Sequence, residues 1–220
     1  MKKYYKFNLD MVWANVVATI VLIASAIGFL FFNRTYELDI NIIIYMVLYL
    51  ALHEVFHGIA FSIYAKDIKN IKYGAMLEKG VFYAMCQERI NKKAIIVSLL
   101  FPFIFLTVIA LPIGILIHSN NLILLALINF SGATGDLFMV NLIRKMPKDI
   151  EYIDYDNSVG CYLLSKEDLS KFKAIGLKYV ESGKDDDKLI NRDIKRITIT
   201  KWSVVILVIL LLDYIILKIV

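Results

Sequence analysis

The pentapeptide His53-Glu54-Val55-Phe56-His57 contains two of the three histidines in the chain. On a helix, His53 and His57 lie one turn apart on the same face, so that both imidazoles can reach one metal ion. Glu54 lies beside them, where a carboxylate can take a proton from a zinc-activated water. A chance match to this HExxH pattern is expected in roughly one in a thousand sequences of this composition. The spacing therefore predicts a zinc hydrolase.

The HExxH pattern lies within one of several long apolar runs. The chain has 220 residues, 59% of them hydrophobic, and a mean hydropathy of +0.66. Soluble domains are closer to 45–50% apolar. We therefore expect an all-α integral membrane protein with about five transmembrane helices. The runs that are long enough to span the bilayer are 11–32, 40–65, 94–117, 121–143 and 202–220.

The N-terminal segment has a second interpretation, a cleaved signal peptide. Three lysines precede the apolar run, and Ala24-Ser25-Ala26 resembles a cleavage site. The run continues through Phe32, however, which favours a retained transmembrane helix.

The basic residues predict the orientation in the membrane. The first ten residues hold three lysines, residues 66–93 hold seven lysines and arginines, and residues 144–201 hold thirteen. With five spans, 23 of the 25 basic residues lie on one side, which should be the cytoplasm. We expect a multi-pass cell-membrane protein whose N-terminus and active-site opening are cytoplasmic. Its net charge of +5 reflects this bias and contact with lipid headgroups, not nucleic acid binding.

Two cytoplasmic elements are expected outside the spans. Residues 71–86 form two β-prone runs around Glu78-Lys79-Gly80, which predicts a β-hairpin at the membrane surface. Residues 144–201 predict a short α+β appendage, with strands near 150–155 and 159–164 and a helix from Ser165 to about Val180. The predicted organisation is a membrane-embedded metalloprotease core (1–143), this appendage, and a fifth transmembrane helix (202–220).

A catalytic zinc needs a third protein ligand, and two acidic residues lie within other spans. At ~1.5 Å per residue, Asp136 lies ~22 Å from the outer boundary, between His53 at ~20 Å and His57 at ~26 Å. Asp213 lies at a similar depth, so depth leaves both open. Asp136 follows a run of small residues, 131–135, that lets helices approach closely or opens a water-lined break, and this favours it. His118 is a poor candidate because it lies at the outer end of its span.

The chain resembles the putative zincin peptidase family of small bacterial membrane proteins, from about Tyr5 to Leu164. The resemblance implies a zinc peptidase with His53, His57 and Asp136 as ligands. It is carried by the HExxH with Gly58, Lys72-Tyr73-Gly74, Tyr83–Cys86, Phe101-Pro102, Ser131-Gly132 with Gly135-Asp136-Leu137, and the Asp154 to Gly160 segment.

The layout also resembles the site-2 protease type of intramembrane metalloprotease. That type pairs an HExxH span with a later span that carries an Asp ligand and has Asn, Pro and an Asp-Gly pair. Here Asn129 precedes Asp136 by seven residues, proline is absent and the order is Gly135-Asp136. A role of Asn129 in orienting substrate or stabilising an oxyanion is left open.

The function favoured by these observations is zinc-dependent cleavage of a peptide bond within or next to the membrane, with Glu54 as general base and a membrane protein or peptide as substrate. Two alternatives belong to other classes. One is a non-proteolytic regulator or scaffold with a structural zinc site, and the other is a polytopic transporter or ion-binding protein. The intact Glu54 argues against the first, because structural zinc does not need it. The closeness of the intramembrane acids to the histidines argues against a long ion path.

Overall fold

The computed structural model is mostly helical, with two small antiparallel sheets. Three helical segments are long and apolar enough to cross a membrane: Val12–Phe31, Ile42–Tyr64 and Lys92–Leu116. A bent pair, Asn120–Gly132 with Thr134–Lys145, is a fourth candidate if its two halves form one span. The predicted fifth helix, 202–220, lies outside the residues that the structure describes. Those residues are 3–9, 11–32, 41–76, 81–154, 160–170, 172 and 177–184.

Helices α1 (Met11–Phe32) and α2 (Ile42–Tyr64) correspond to the first two predicted spans. Helix α1 has no charged residue and exposes large apolar side chains such as Ile27 and Phe31. Such a surface is stable against lipid rather than water. Helix α2 differs, because the side that carries His53 and His57 is buried against other helices.

The third predicted span changes its helical geometry partway. Helix α3 (Lys92–Phe103) contains Pro102 and leads into a π-helical segment, Ile104–Ile109, which is followed by α4 (Ala110–Leu116). Segments of π-helix are rare and often occur at functional sites. The Tyr49 hydroxyl of α2 donates a 2.8 Å hydrogen bond to the Leu106 carbonyl in this segment. The irregular part of the third span is thereby bonded to the helix that carries the HExxH pattern.

The fourth predicted span is broken into α5 (Asn120–Gly132) and α6 (Thr134–Lys145), which are bent by 46°. The break falls in the run of small residues 131–135, and a break was one of the two arrangements that the sequence left open for this run. The Ser131 hydroxyl donates a 2.6 Å hydrogen bond to the Ala18 carbonyl of α1, which anchors this end of α5. Because of the break, Asp136 lies in the first turn of a new helix.

The strands form two sheets. The predicted hairpin is present as β2 (Ile71–Met76) and β3 (Val81–Cys86), which pair with each other. The larger sheet has the order β4-β5-β6-β1-β7, and all its pairs are antiparallel. Its strands are β1 (Lys3–Leu9), β4 (Ile90–Asn91), β5 (Glu151–Asp154), β6 (Gly160–Ser165) and β7 (Leu177–Lys184).

The helix predicted from Ser165 to about Val180 is wrong at the positions that the structure describes, 165–170, 172 and 177–180. Ser165 ends β6, and its hydroxyl donates to Asp149 at 3.1 Å instead of capping a helix. Leu177–Lys184 forms β7 and pairs with the edge of β1. In the sequence, the N-terminal residues indicated only a basic segment before the first span. Strand β1 was not predicted. Pairing between distant segments here overrides the local capping signal.

The core lies where the larger sheet meets the start of α3 and the end of α6. Its fully buried side chains include Phe7 of β1, Ile95 of α3, Ile143 of α6 and Leu163 of β6. Burying one such side chain contributes about 1.5–3 kcal/mol. This packing joins the start of α3 and the end of α6, and so positions the two helices that face α2.

Candidate metal centre

The two histidines of α2 direct the same ring nitrogen towards one point. Their Nε2 atoms are 3.1 Å apart, and both side chains are buried. The residues are four apart on one helix, so their side chains lie one above the other on the same face. The sequence predicted this pairing from their spacing.

Asp136 reaches the same point from α6. Its Oδ2 lies 3.1 Å from His53 Nε2 and 3.3 Å from His57 Nε2. The break before α6 directs this first-turn carboxylate towards α2, and its side chain keeps 20% of its surface exposed. The three side chains form a group that could hold a metal ion, with one donor atom from each within 4.8 Å of the others.

The spacing of the three donor atoms fits zinc. Zinc bonds histidine nitrogen at about 2.0–2.1 Å in a tetrahedral arrangement, so neighbouring donors are about 3.3 Å apart. The three observed separations are 3.1, 3.1 and 3.3 Å. The donor set, two imidazoles and one carboxylate, is of the kind found in catalytic zinc sites, which keep a fourth position open.

Hydrogen bonds determine which nitrogen of His53 carries the proton. Its Nδ1 lies 2.8 Å from Asn129 Oδ1, and Asn129 Nδ2 donates to Thr107 Oγ1 at 2.9 Å. Thr107 Oγ1 donates its only proton to the Ala126 carbonyl at 3.2 Å. The hydroxyl must therefore accept from the Asn129 NH2 group, which leaves the amide oxygen to accept from His53 Nδ1–H. The Nε2 lone pair of neutral His53 is then free to bind a metal.

His57 has the same tautomer for a different reason. Its Nδ1 donates to the Ser98 carbonyl of α3 at 2.8 Å, and a carbonyl can only accept. The neutral forms of both histidines thus present unprotonated Nε2 atoms to each other and to the Asp136 carboxylate. Three electron pairs that converge in a buried place favour a cation between them. The chemistry of the site therefore agrees with its spacing.

Glu54 connects α2 to the hairpin. Its Oε2 accepts a 2.7 Å hydrogen bond from the Ala84 N–H of β3. The hairpin also packs directly on α2, because a Cβ atom added to Gly58 would lie 1.8 Å from the Tyr73 hydroxyl oxygen. Only a residue without a side chain permits this approach. Gly58 thus lets β2 pack on α2, while Glu54 is bonded to β3.

A second carboxylate, Asp154 of β5, also accepts a hydrogen bond from strand β3. Its Oδ2 accepts the Cys86 N–H at 2.7 Å, and its Oδ1 accepts the Tyr152 hydroxyl at 2.5 Å. Burial raises the pKa of Asp154 to about 6, although both hydrogen bonds act in the opposite direction. Alternate amides of β3 are therefore bonded to carboxylates from α2 and from the larger sheet.

The remaining candidate residues lie elsewhere or have other contacts. His118 is exposed in the turn after α4 and does not belong to the cluster, as expected from its position. Asp213 lies outside the described residues. Asn129 is only 1% exposed and bonds His53 and Thr107, which makes it a support for the histidine rather than a substrate contact.

The residues that support the two histidines have only weak signals in the sequence. Ser98 and Thr107 are short polar residues in an apolar span, and such residues are common without any function. One usable signal was Pro102, which follows Ser98 by four residues and so removes the helical partner of the Ser98 carbonyl.

Comparison with known proteins agrees with this geometry. A family model described as "Putative zincin peptidase" matches residues 46–150, which include the HExxH pattern, the hairpin, Asn129 and Asp136. No curated protein and no solved structure matches the chain. The family name suggests a zinc metallopeptidase. Over residues 46–150, the chain is thus similar to the putative zincin peptidase family.

Proposed function

We propose that this protein is a zinc-dependent peptidase that cleaves a peptide bond within or next to the membrane. The observation that carries the proposal is the convergence of His53 Nε2, His57 Nε2 and Asp136 Oδ2 at the spacing of zinc ligands, next to Glu54. These three side chains would hold the ion. Zinc bound there would supply a Lewis acid that polarises the scissile carbonyl and lowers the pKa of water.

Glu54 is the proposed general base. It would take the proton from the attacking water and pass it to the leaving amine. Its carboxylate is half-buried and accepts the Ala84 N–H, so it is oriented by the backbone of β3. This hydrogen bond supports a fixed position of the carboxylate beside the two histidines.

An open coordination position favours catalysis over a structural zinc site. Structural zinc sites are usually closed by four protein ligands. Within the described part of the chain, three such side chains converge, and the Asp136 side chain is 20% exposed. The remaining position would be available to water and substrate.

The proposed substrate is a membrane protein or peptide in an extended conformation. Strand β3 pairs with β2 along one edge, and on its other edge the Ala84 amide faces Glu54. An extended substrate segment that lies beside this edge would bring its backbone close to the base.

The site is proposed to open to the cytoplasm. His57 lies seven residues before the end of α2, or ~10 Å, and the hairpin follows at that end. The basic segments of the chain belong to the same side. The native cysteines cannot test this orientation, because both are buried and burial raises the pKa of Cys86 to about 11. On intact cells, an impermeant thiol reagent should label Thr35→Cys but not Lys166→Cys, and the opposite pattern would place the site outside.

The experiment that tests the function is Glu54→Gln, which keeps the size of the side chain and removes the base. The variant should retain zinc and membrane insertion but lose the cleavage products that wild type generates in the membrane proteome. A matched control is Glu88→Gln, because Glu88 bonds Lys66 and Asn70 near the cytoplasmic turns and not the candidate site. Undiminished cleavage by Glu54→Gln would exclude this mechanism.

A further inference from the structure

The Ser98 carbonyl lacks the hydrogen bond that an α-helix normally provides. In a helix, each carbonyl accepts from the N–H four residues later. For Ser98 that residue is Pro102, inside α3, and proline has no N–H. Ser98 and Pro102 are both fully buried, so water does not replace the missing donor there. His57 Nδ1–H of α2 donates to this carbonyl instead, at 2.8 Å.

We propose that Pro102 is a positioning residue of the zinc site. It withholds a backbone N–H from the Ser98 carbonyl and so leaves that carbonyl to bind the Nδ1 proton of His57. The inference deepens the proposed function and rests on the zinc site described above. The role is indirect, since Pro102 acts on the metal ligand through Ser98.

The consequence for His57 is a fixed tautomer and a fixed ring orientation. A hydrogen bond from Nδ1–H to a carbonyl places the free electron pair on Nε2 and makes that nitrogen more basic. An imidazole without such an acceptor could turn its Nε2 away or carry its proton there. His53 receives the equivalent support from the Asn129 side chain, whereas His57 receives it from a carbonyl of a neighbouring helix.

A kink alone does not account for this arrangement. Pro112 is the second proline in the same span, and the carbonyl four residues before it belongs to Val108. Val108 lies in the π-helical segment and is 50% exposed. Both prolines lack a backbone N–H, but the histidine of the cluster donates to the carbonyl before Pro102. Pro112 therefore provides a matched control.

The first test is Pro102→Ala. Alanine restores the N–H at position 102. This N–H can donate to the Ser98 carbonyl along the helix axis and so competes with His57 Nδ1–H for the same acceptor. We expect zinc affinity to fall by about 10-fold, the size of effect typical for loss of a residue that supports a metal ligand. Pro112→Ala should bind zinc like wild type. Equal affinity of wild type and Pro102→Ala would overturn the proposal.

A second measurement separates this proposal from the zinc hypothesis. The chain has three histidines, so ¹⁵N-histidine labelling gives three imidazole rings, and the His57 signals are assigned by their loss in His57→Ala. In metal-free protein at alkaline pH, wild type should show His57 protonated on Nδ1 and protected from solvent exchange. Pro102→Ala should lose that protection. A protected Nδ1–H in both proteins would refute the inference whether or not the site binds zinc.

A third variant separates the missing N–H from the shape of the proline ring. Lactic acid at position 102, introduced as an ester in place of the peptide unit, has the methyl group of alanine but no N–H. It should restore the zinc affinity and the His57 signal of wild type. If it behaves like Pro102→Ala, the ring itself is responsible and the proposal fails. If Pro102→Ala does not fold, wild-type zinc affinity of the lactic acid variant supports the proposal, and reduced affinity contradicts it.

Discussion

Asn129 donates a 2.9 Å hydrogen bond to Thr107, and this bond orients the amide so that its oxygen faces His53. Thr107 lies in the π-helical segment of the third span and Asn129 in α5. The contact between two helices thereby determines the tautomer of a histidine on a third.

Thr107→Val should weaken zinc binding although Thr107 touches no ligand. Valine has nearly the same shape but cannot accept from the Asn129 NH2 group, so the amide is free to turn its nitrogen towards His53. We expect zinc affinity to fall by about 10-fold. Thr107→Ser keeps the hydroxyl and should restore wild-type affinity in the same competition assay. A loss of equal size in both variants would show that packing, not the hydroxyl, is responsible.

Asp136→Asn should reduce zinc affinity by more than about 10-fold, because it removes an anionic ligand rather than a supporting residue. Purified wild type is expected to bind one zinc per chain, and His53→Ala/His57→Ala should bind almost none. Asp213→Asn is the control from the fifth predicted span and should resemble wild type. If Asp213→Asn lost zinc while Asp136→Asn kept it, the third ligand would have to be reassigned.

Gly58→Ala should separate the hairpin from α2. The new Cβ would lie 1.8 Å from the hydroxyl oxygen and 2.3 Å from Cζ of Tyr73, so the ring must move. Overpacking of this kind costs about 1–3 kcal/mol, which thermal unfolding in detergent would detect. Gly28→Ala is the matched control, since a Cβ on Gly28 meets nothing within 4 Å. Gly58→Ala/Tyr73→Leu should recover stability, and failure to recover would place the strain elsewhere.

Asp154 should make the protein less stable as the pH rises from about 4 to about 6. Its pKa is about 6 in the folded chain against an ordinary value of 3.8 for aspartate, so within that window the folded state binds more protons than the unfolded state. The free energy of unfolding then falls with pH, by at most about 1.4 kcal/mol per pH unit, and levels off above pH 6. The groups that act on this carboxyl are Tyr152, Cys161, Cys86, His57 and Glu54.

The measurement compares wild type with Asp154→Asn, which cannot titrate at this position. The difference in melting temperature between the two proteins should shift in favour of the variant across the pH window. Parallel curves from pH 4 to pH 7 would show that Asp154 has an ordinary pKa.

The local pattern of the chain was enough to predict several parts of this protein. The i, i+4 spacing places His53 and His57 on one helical face whatever the rest of the fold, because helix geometry is set by the backbone. Long apolar runs likewise predict α1 and α2, and the β-prone runs around a glycine turn predict β2 and β3. These features depend on neighbours within a few residues.

Tertiary structure decided the features that join distant residues. The His53 tautomer depends on an amide 76 residues away, and β1 gains its partners only when residues 160–165 and 177–184 return to it. Helix packing brings such groups together. The periodicity of the sequence does not predict which amide or carbonyl will face which imidazole. For the same reason the sequence alone does not reveal the role of Pro102: its missing N–H matters only because α2 presents a histidine to the Ser98 carbonyl.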